Sequence, residues 1–117
     1  MAGREAGLTG NLDLIVIGNP EMKKLNRRYR RKNRVTDVLS FAWGEDKKVK
    51  SASAGEIYIC WPQIKKQAEE YGVAEKEEFA RMAIHGMLHL AGYDHATKKG
   101  EKIMSAKQEK IVKNFMK

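Results

Sequence analysis

Apolar residues cluster at Leu12–Ile17 (LDLIVI), alternate with polar ones over Thr36–Trp43 (TDVLSFAW), and cluster again at Glu56–Cys60 (EIYIC). Short β-rich or alternating runs of this kind predict three strands. In the second, Val38, Ser40 and Ala42 share one side and Asp37, Leu39, Phe41 and Trp43 the other, because successive strand side chains point to opposite faces. Four other stretches show helical spacing. Asn19-Pro20 supplies an N-cap and a first-turn proline for a helix over about 20–32, with Met22, Leu25 and Tyr29 as its apolar stripe. Pro62 opens a second helix that runs to about Tyr71 and is closed by Gly72. A third runs from about Ala74 to Leu90. It has Glu75, Glu77 and Glu78 in its first turn, where the helix dipole favours anions, and Phe79, Met82 and Ala83 for packing. The last, roughly 97–116, presents Ile103, Met104, Ile111, Val112 and Phe115 to a core. Residues 44–55 are polar and glycine-flanked, which predicts a loop. Strands come first and helices dominate the second half, so the fold class is α+β. The expectation is a small mixed sheet of three or four strands against about four helices, in one domain over 12–117 after a flexible segment 1–11.

A chain of 117 residues supports one modest core. With 42% hydrophobic and 32% charged residues it reads as an ordinary soluble domain, not a disordered one. Charge sharpens the picture: 23 Lys+Arg against 15 Asp+Glu leave a net +8, which suits an anionic partner such as nucleic acid. Arg27, Arg28, Arg30, Arg31, Lys32 and Arg34 concentrate that charge at the end of the first helix, beyond what complementing a helix dipole requires. Cys60 is the sole cysteine, so no intrachain disulfide forms and a reducing, cytoplasmic setting is expected. No apolar run reaches transmembrane length, and MAGREAGLTG lacks the apolar stretch of a signal peptide.

The chemistry is concentrated in HGMLHLAGYDH, which holds all three histidines, His85, His89 and His95. Four residues advance a helix by about 400° and roughly 6 Å, so His85 and His89 lie one above the other. Ten residues advance it by about 1000°, which carries His95 off that face unless the chain turns. Gly92 stands where the turn is needed, since glycine tolerates the left-handed conformation that ends helices. The metal site is therefore expected on a helix and the turn after it. Three protein ligands leave a position open for water, as in catalytic zinc centres; imidazoles also suit nickel, copper or iron. The same spacing, HxxxHxxGxxH, occurs in metzincin proteases, but those carry a glutamate base after the first histidine. Gly86 occupies that position, which argues against peptide hydrolysis.

The histidine segment resembles the signature of the YbeY family, bacterial ribosomal-RNA maturation factors described as metal-dependent endoribonucleases. A second block, LNRRYRRKNRVTDVLSFAW over residues 25–43, is similar to the family's LNxxYRxxDxPTDVLSFP, and GEIYIC at 55–60 to its GDIxIS-type strand. The resemblance runs from about residue 12 to the end. It implies a sheet backed by helices and one zinc ion (Zn2+) held by His85, His89 and His95 at the mouth of a positive cleft. Arg30 matches the family's cleft arginine, taken to act on RNA phosphate. Guanidinium suits that role, because it pairs with phosphate bidentately and keeps its charge. The implied substrate is ribosomal RNA of the 30S subunit, at the 3′ end of its rRNA, with ribosomal proteins as further contacts and a role in ribosome quality control.

Asn33, Val35, Ala42 and Glu56 depart from the family's Asp, Pro, Pro and Asp. Members also usually carry a further strand and helix before the segment matching Leu12, so a three-stranded sheet with one edge bare or covered by a partner is expected. Oligomeric state stays open. Several other residues admit two readings. Asp37 either orients a ligand histidine or closes a local turn; Asp94 is similar. Trp43 and Trp61 stack on bases or pack in the core, Tyr93 packs, Met82, Met87 and Met104 are core or cleft lining, and Cys60 is a ligand only if it faces the ion. Two functions of different class follow: a single-metal endoribonuclease acting on single-stranded RNA, or a non-catalytic ribosome-associated assembly factor with a structural metal. A metallohydrolase of other phosphoesters is the remaining alternative.

Overall fold

The computed structural model describes residues 11–42, 53–93 and 96–116. Along these run β1 (Asn11–Ile17), α1 (Asn19–Arg30), β2 (Val38–Ala42), β3 (Ser53–Cys60), α2 (Trp61–Tyr71), α3 (Glu75–Leu90) and α4 (Lys98–Phe115). The sheet has the order β1-β3-β2, with β1 parallel and β2 antiparallel to β3. It is the expected small mixed sheet of an α+β fold, with three strands among the described residues.

Register divides the side chains between two faces. Leu39 stands opposite Tyr58 and Phe41 opposite Glu56, while Val38 stands opposite Ile59 and Ser40 opposite Ile57. On the first face Met22, Leu39 and Cys60 are buried together, joined by Ile17, Leu25, Phe41 and Tyr58; this is the contact with α1. On the second, Ile57, Ile59, Ile64 and Ala83 are buried with Val38, Phe79, Met82 and Leu90, so α2 and α3 cover it. Ile57 and Ile59 are fully buried, and each contributes about 1.5–3 kcal/mol of transfer free energy. A third cluster joins Ile84 and Leu88 of α3 to Met104, Ile111 and Val112 of α4. The central helix α3 thus lies between the sheet and α4. Its sheet side carries the small buried residues Ala80, Ala83 and Gly86.

Element ends differ from the sequence pattern for local reasons. The N-cap of α1 is Gly18, not Asn19: its N–H donates to the Glu21 carboxylate at 3.1 Å, and Pro20 falls inside the first turn. Asn19 Oδ1 instead accepts from Gln63 Nε2 at 3.2 Å and Cys60 Sγ at 3.1 Å. Helix α1 ends at Arg30, two residues early, because Arg31 adopts a left-handed φ of 58°. Buried Asn26 draws the chain back there: its Nδ2 donates to the Arg34 carbonyl at 2.9 Å, and its own carbonyl accepts from Lys32 N at 3.2 Å. Strand β2 starts at Val38, not Thr36, because the Asp37 carboxylate accepts from Val38 N at 2.8 Å and makes a turn. Strand β3 starts at Ser53, ahead of Glu56, since pairing with β1 from Asn11 onward extends it through small residues that carry no hydrophobic signal. Ile103 and Phe115 of α4 stay exposed rather than docking. Trp43 and most of the expected 44–55 loop lie outside the described residues. No described helix is long and apolar enough to cross a membrane.

Candidate functional site

Helix α3 presents His85 and His89 to a cleft that it shares with β2. Both rings are half-buried, their centroids 4.7 Å apart and their planes at 79°. The two Nε2 atoms stand 3.2 Å apart. Two nitrogens bound at about 2.0–2.1 Å to one tetrahedral ion stand about 3.3 Å apart. The donor pair therefore has the chemistry and the separation that one transition-metal ion requires. After Leu90 the helix closes as Gly92 predicts: Gly92 takes a φ of 100°, its N–H donates to the His89 carbonyl, and Tyr93 N–H donates to the Leu88 carbonyl, each at 3.0 Å. These crossed bonds satisfy carbonyls the helix leaves open. His95 and Asp94 lie outside the described residues. Among the described residues no third His, Cys, Asp or Glu joins the pair.

A cleft of about 490 Å³ runs in front of the histidines, lined by Arg30, Thr36, Asp37, Ser40, Gly86, His85 and His89 among others. Arg30 comes from α1 on the opposite side of the sheet. It reaches the cleft around the edge strand β2, where its Nη2 donates to the Ser40 carbonyl at 2.8 Å and its guanidinium carbon lies 4.7 Å from the Phe41 ring centre. Both contacts fix the guanidinium plane without consuming its other donors. The structure therefore brings Arg30, His85 and His89 to one cleft, a convergence that α1 packing decides and spacing along the chain does not. Arg27, Arg28, Arg31 and Arg34, all exposed, extend the positive surface beside it.

Asp37 takes the local role among its two readings. Besides Val38 N it accepts from Thr36 Oγ1 at 3.3 Å and from Gln67 Nε2 at 3.0 Å, so it ties the cleft wall to α2. Cys60 is buried on the α1 face of the sheet, away from the histidines, and burial pushes its thiol pKa up. Trp61 packs edge-on against Phe79 with centroids 6.0 Å apart. Tyr93 packs on the α3–α4 cluster, Met82 and Met87 of α3 pack against the cluster on the sheet, and Met104 is core. One residue escapes sequence reading altogether: Gln108 of α4, whose Oε1 lies 2.7 Å from His85 Nδ1. It sits in a polar stretch of α4, and only the packing of α4 on α3 brings it to the histidine. Gly86 also gains a reason. A Cβ there would stand 3.0 Å from Cδ1 and from Cγ2 of Ile57, so the position of the protease glutamate is where helix meets sheet.

The model of the family described as Endoribonuclease YbeY matches residues 2–116. An Endoribonuclease YbeY of Malacoplasma penetrans is 40% identical over 101 residues, spanning 86% of this chain and 67% of the relative. One of Staphylococcus carnosus is 40% identical over 109 residues, spanning 89% and 71%. A protein of Thermotoga maritima whose structure was solved in solution superposes with a TM-score of 0.65 at 35% identity, over 95% of this chain and 71% of its own. With a match that runs through every described element, the chain belongs to the endoribonuclease YbeY family.

Proposed function

We propose that this protein is a metal-dependent endoribonuclease that cuts single-stranded RNA during maturation of the 3′ end of small-subunit ribosomal RNA. Its partner is then the 30S subunit, its setting the cytoplasm, and ribosome quality control part of the same role. The observation that carries the reading is the convergence of Arg30 with His85 and His89 on one cleft. Family membership and the +8 charge support it. His85, His89 and His95 would hold one ion, with zinc the first choice. Bound there, the ion would supply hydroxide at neutral pH and Lewis acidity toward a phosphoryl oxygen. Arg30, anchored by Ser40 and Phe41, binds the scissile phosphate and offsets the charge that builds on its oxygens. The exposed arginines beside it hold the flanking backbone, and their contribution weakens with salt.

The test is elemental analysis of purified protein beside His89→Ala, followed by cleavage of end-labelled single-stranded RNA. Near-stoichiometric metal that is lost in a folded His89→Ala, together with lost cleavage and retained RNA binding, is the expected result. Arg30→Ala should keep its metal and lose about 10²-fold in cleavage rate. A protein that takes up no transition metal overturns the reading and leaves a basic ribosome-binding module.

A further inference from the structure

We infer that Gln108 is a positioning residue that sets the tautomer of His85 and so presents its Nε2 to the metal; this rests on the metal reading above. An amide oxygen only accepts hydrogen bonds, so with Gln108 Oε1 at 2.7 Å the proton of a neutral His85 sits on Nδ1. The lone pair is then on Nε2, the atom 3.2 Å from His89 Nε2.

The orientation of the amide is itself fixed. Gln108 Nε2 donates to Glu109 Oε2 at 3.3 Å, and a carboxylate only accepts. Glu109 is gripped by Arg81, whose Nε and Nη2 donate to its two oxygens at 2.9 Å and 3.0 Å. Arg81 is anchored in turn through Nη1 to Glu78 at 2.9 Å, a carboxylate only 1% exposed. Turning the Gln108 amide over would set its oxygen against the Glu109 carboxylate. Each link of the series Glu78–Arg81–Glu109–Gln108–His85 thus has one donor: Arg81 donates to both carboxylates, Gln108 to Glu109, and His85 to Gln108. The series joins α3 to α4 and returns to α3. Hydrogen-bonded acceptors behind ligand histidines orient the ring and raise its basicity, and their loss costs about 10–100-fold in metal affinity.

The test uses the full chain in two measurements. Long-range 1H–15N correlation spectra of the metal-free protein report which ring nitrogen of His85 carries the proton. Zinc titration against a chromophoric chelator reports affinity. Wild-type protein should show His85 protonated on Nδ1. Gln108→Leu should move that proton toward Nε2 and bind zinc about 10–100-fold more weakly. Wild-type His85 protonated on Nε2 overturns the inference whatever the variants do. Zinc affinity of Gln108→Leu within about twofold of wild type overturns the positioning role alone. No zinc uptake by the wild type overturns the metal reading and this inference with it, so the two failures are distinguishable.

Discussion

Gly86→Ala isolates the contact on which α3 rests. On helix propensity alone the change should stabilise the protein by about 1 kcal/mol, since alanine loses less backbone freedom than glycine. The structure predicts otherwise. An ideal Cβ at position 86 stands 3.0 Å from Cδ1 and Cγ2 of Ile57 and 3.2 Å from Cγ1, against about 3.5–4.0 Å for relaxed carbon contacts. Ile57 is fully buried in the middle strand, so any shift of its side chain must displace packed neighbours. Either its rotamer strains or α3 lifts by several tenths of an ångström. Overpacking of this kind costs about 1–3 kcal/mol, so the net expectation is destabilisation by about 1 kcal/mol after the propensity gain.

A double-mutant cycle in urea separates the two terms. Ile57→Val removes Cδ1, one of the three clashing atoms, and costs about 0.5–1.5 kcal/mol by itself. Combined with Gly86→Ala it should be less destabilised than the sum of the singles by about 0.5–1 kcal/mol. The midpoint of unfolding should shift while the slope with denaturant stays constant. Gly86→Ala more stable than wild type, with the pair additive to about 0.3 kcal/mol, would refute the close approach of helix and sheet.

Two further outcomes follow from the electrostatics. Tyr58, bonded to the Glu56 carboxylate at 2.5 Å, has its pKa pushed up to about 12, mainly by that bond and then by burial. The associated stability is complete below the ordinary tyrosine value and is lost as pH rises through about 12; ultraviolet titration should show Tyr58 ionising late, and Glu56→Gln should move it back toward 10. Arg81 holds the Glu109 carboxyl below the usual carboxylate range, so that pair stabilises the fold above the ordinary carboxylate value and is lost as pH falls through the lowered one. Glu109 is half exposed, which limits the pair to about 0.5 kcal/mol. Acid-unfolding curves of Glu109→Gln should be flatter by that amount, and an unchanged acid slope would count against the pair.

Sequence legibility follows the range of the interactions. The stacking of His85 on His89 belongs to one helix and follows from a spacing of four; the turn after Leu90 follows from Gly92. Face assignment in β2 was equally local, and the register with β3 agrees with it. Arg30 is different. Its place in the cleft depends on the left-handed Arg31, on Asn26 pulling residue 34 back, and on β2 being an edge it can wrap. None of these leaves a periodic trace. Gln108 lies further still from what a sequence can show, since the contact needs the pairing of α4 on α3. Glu78 was legible only as a dipole-favoured first-turn acid, and its burial beside Arg81 gives it another role.

Gly86 joins the chemistry to the packing. In the metzincin pattern the residue after the first histidine must project a carboxylate toward the metal-bound water. Here that residue is buried on α3 with its Cβ direction aimed at Ile57 of the central strand. A glutamate at this position would have to bury its charge in an apolar layer or push the helix off the sheet, and either costs several kcal/mol. A glutamate at this position is thus at odds with the packing of α3 on the sheet. With that carboxylate excluded and Asp37 tied to Gln67, Thr36 and Val38, the described cleft offers imidazole and guanidinium rather than an unengaged carboxylate. Such a lining favours an anionic substrate that brings its own oxygens, and a phosphodiester fits it better than a peptide does.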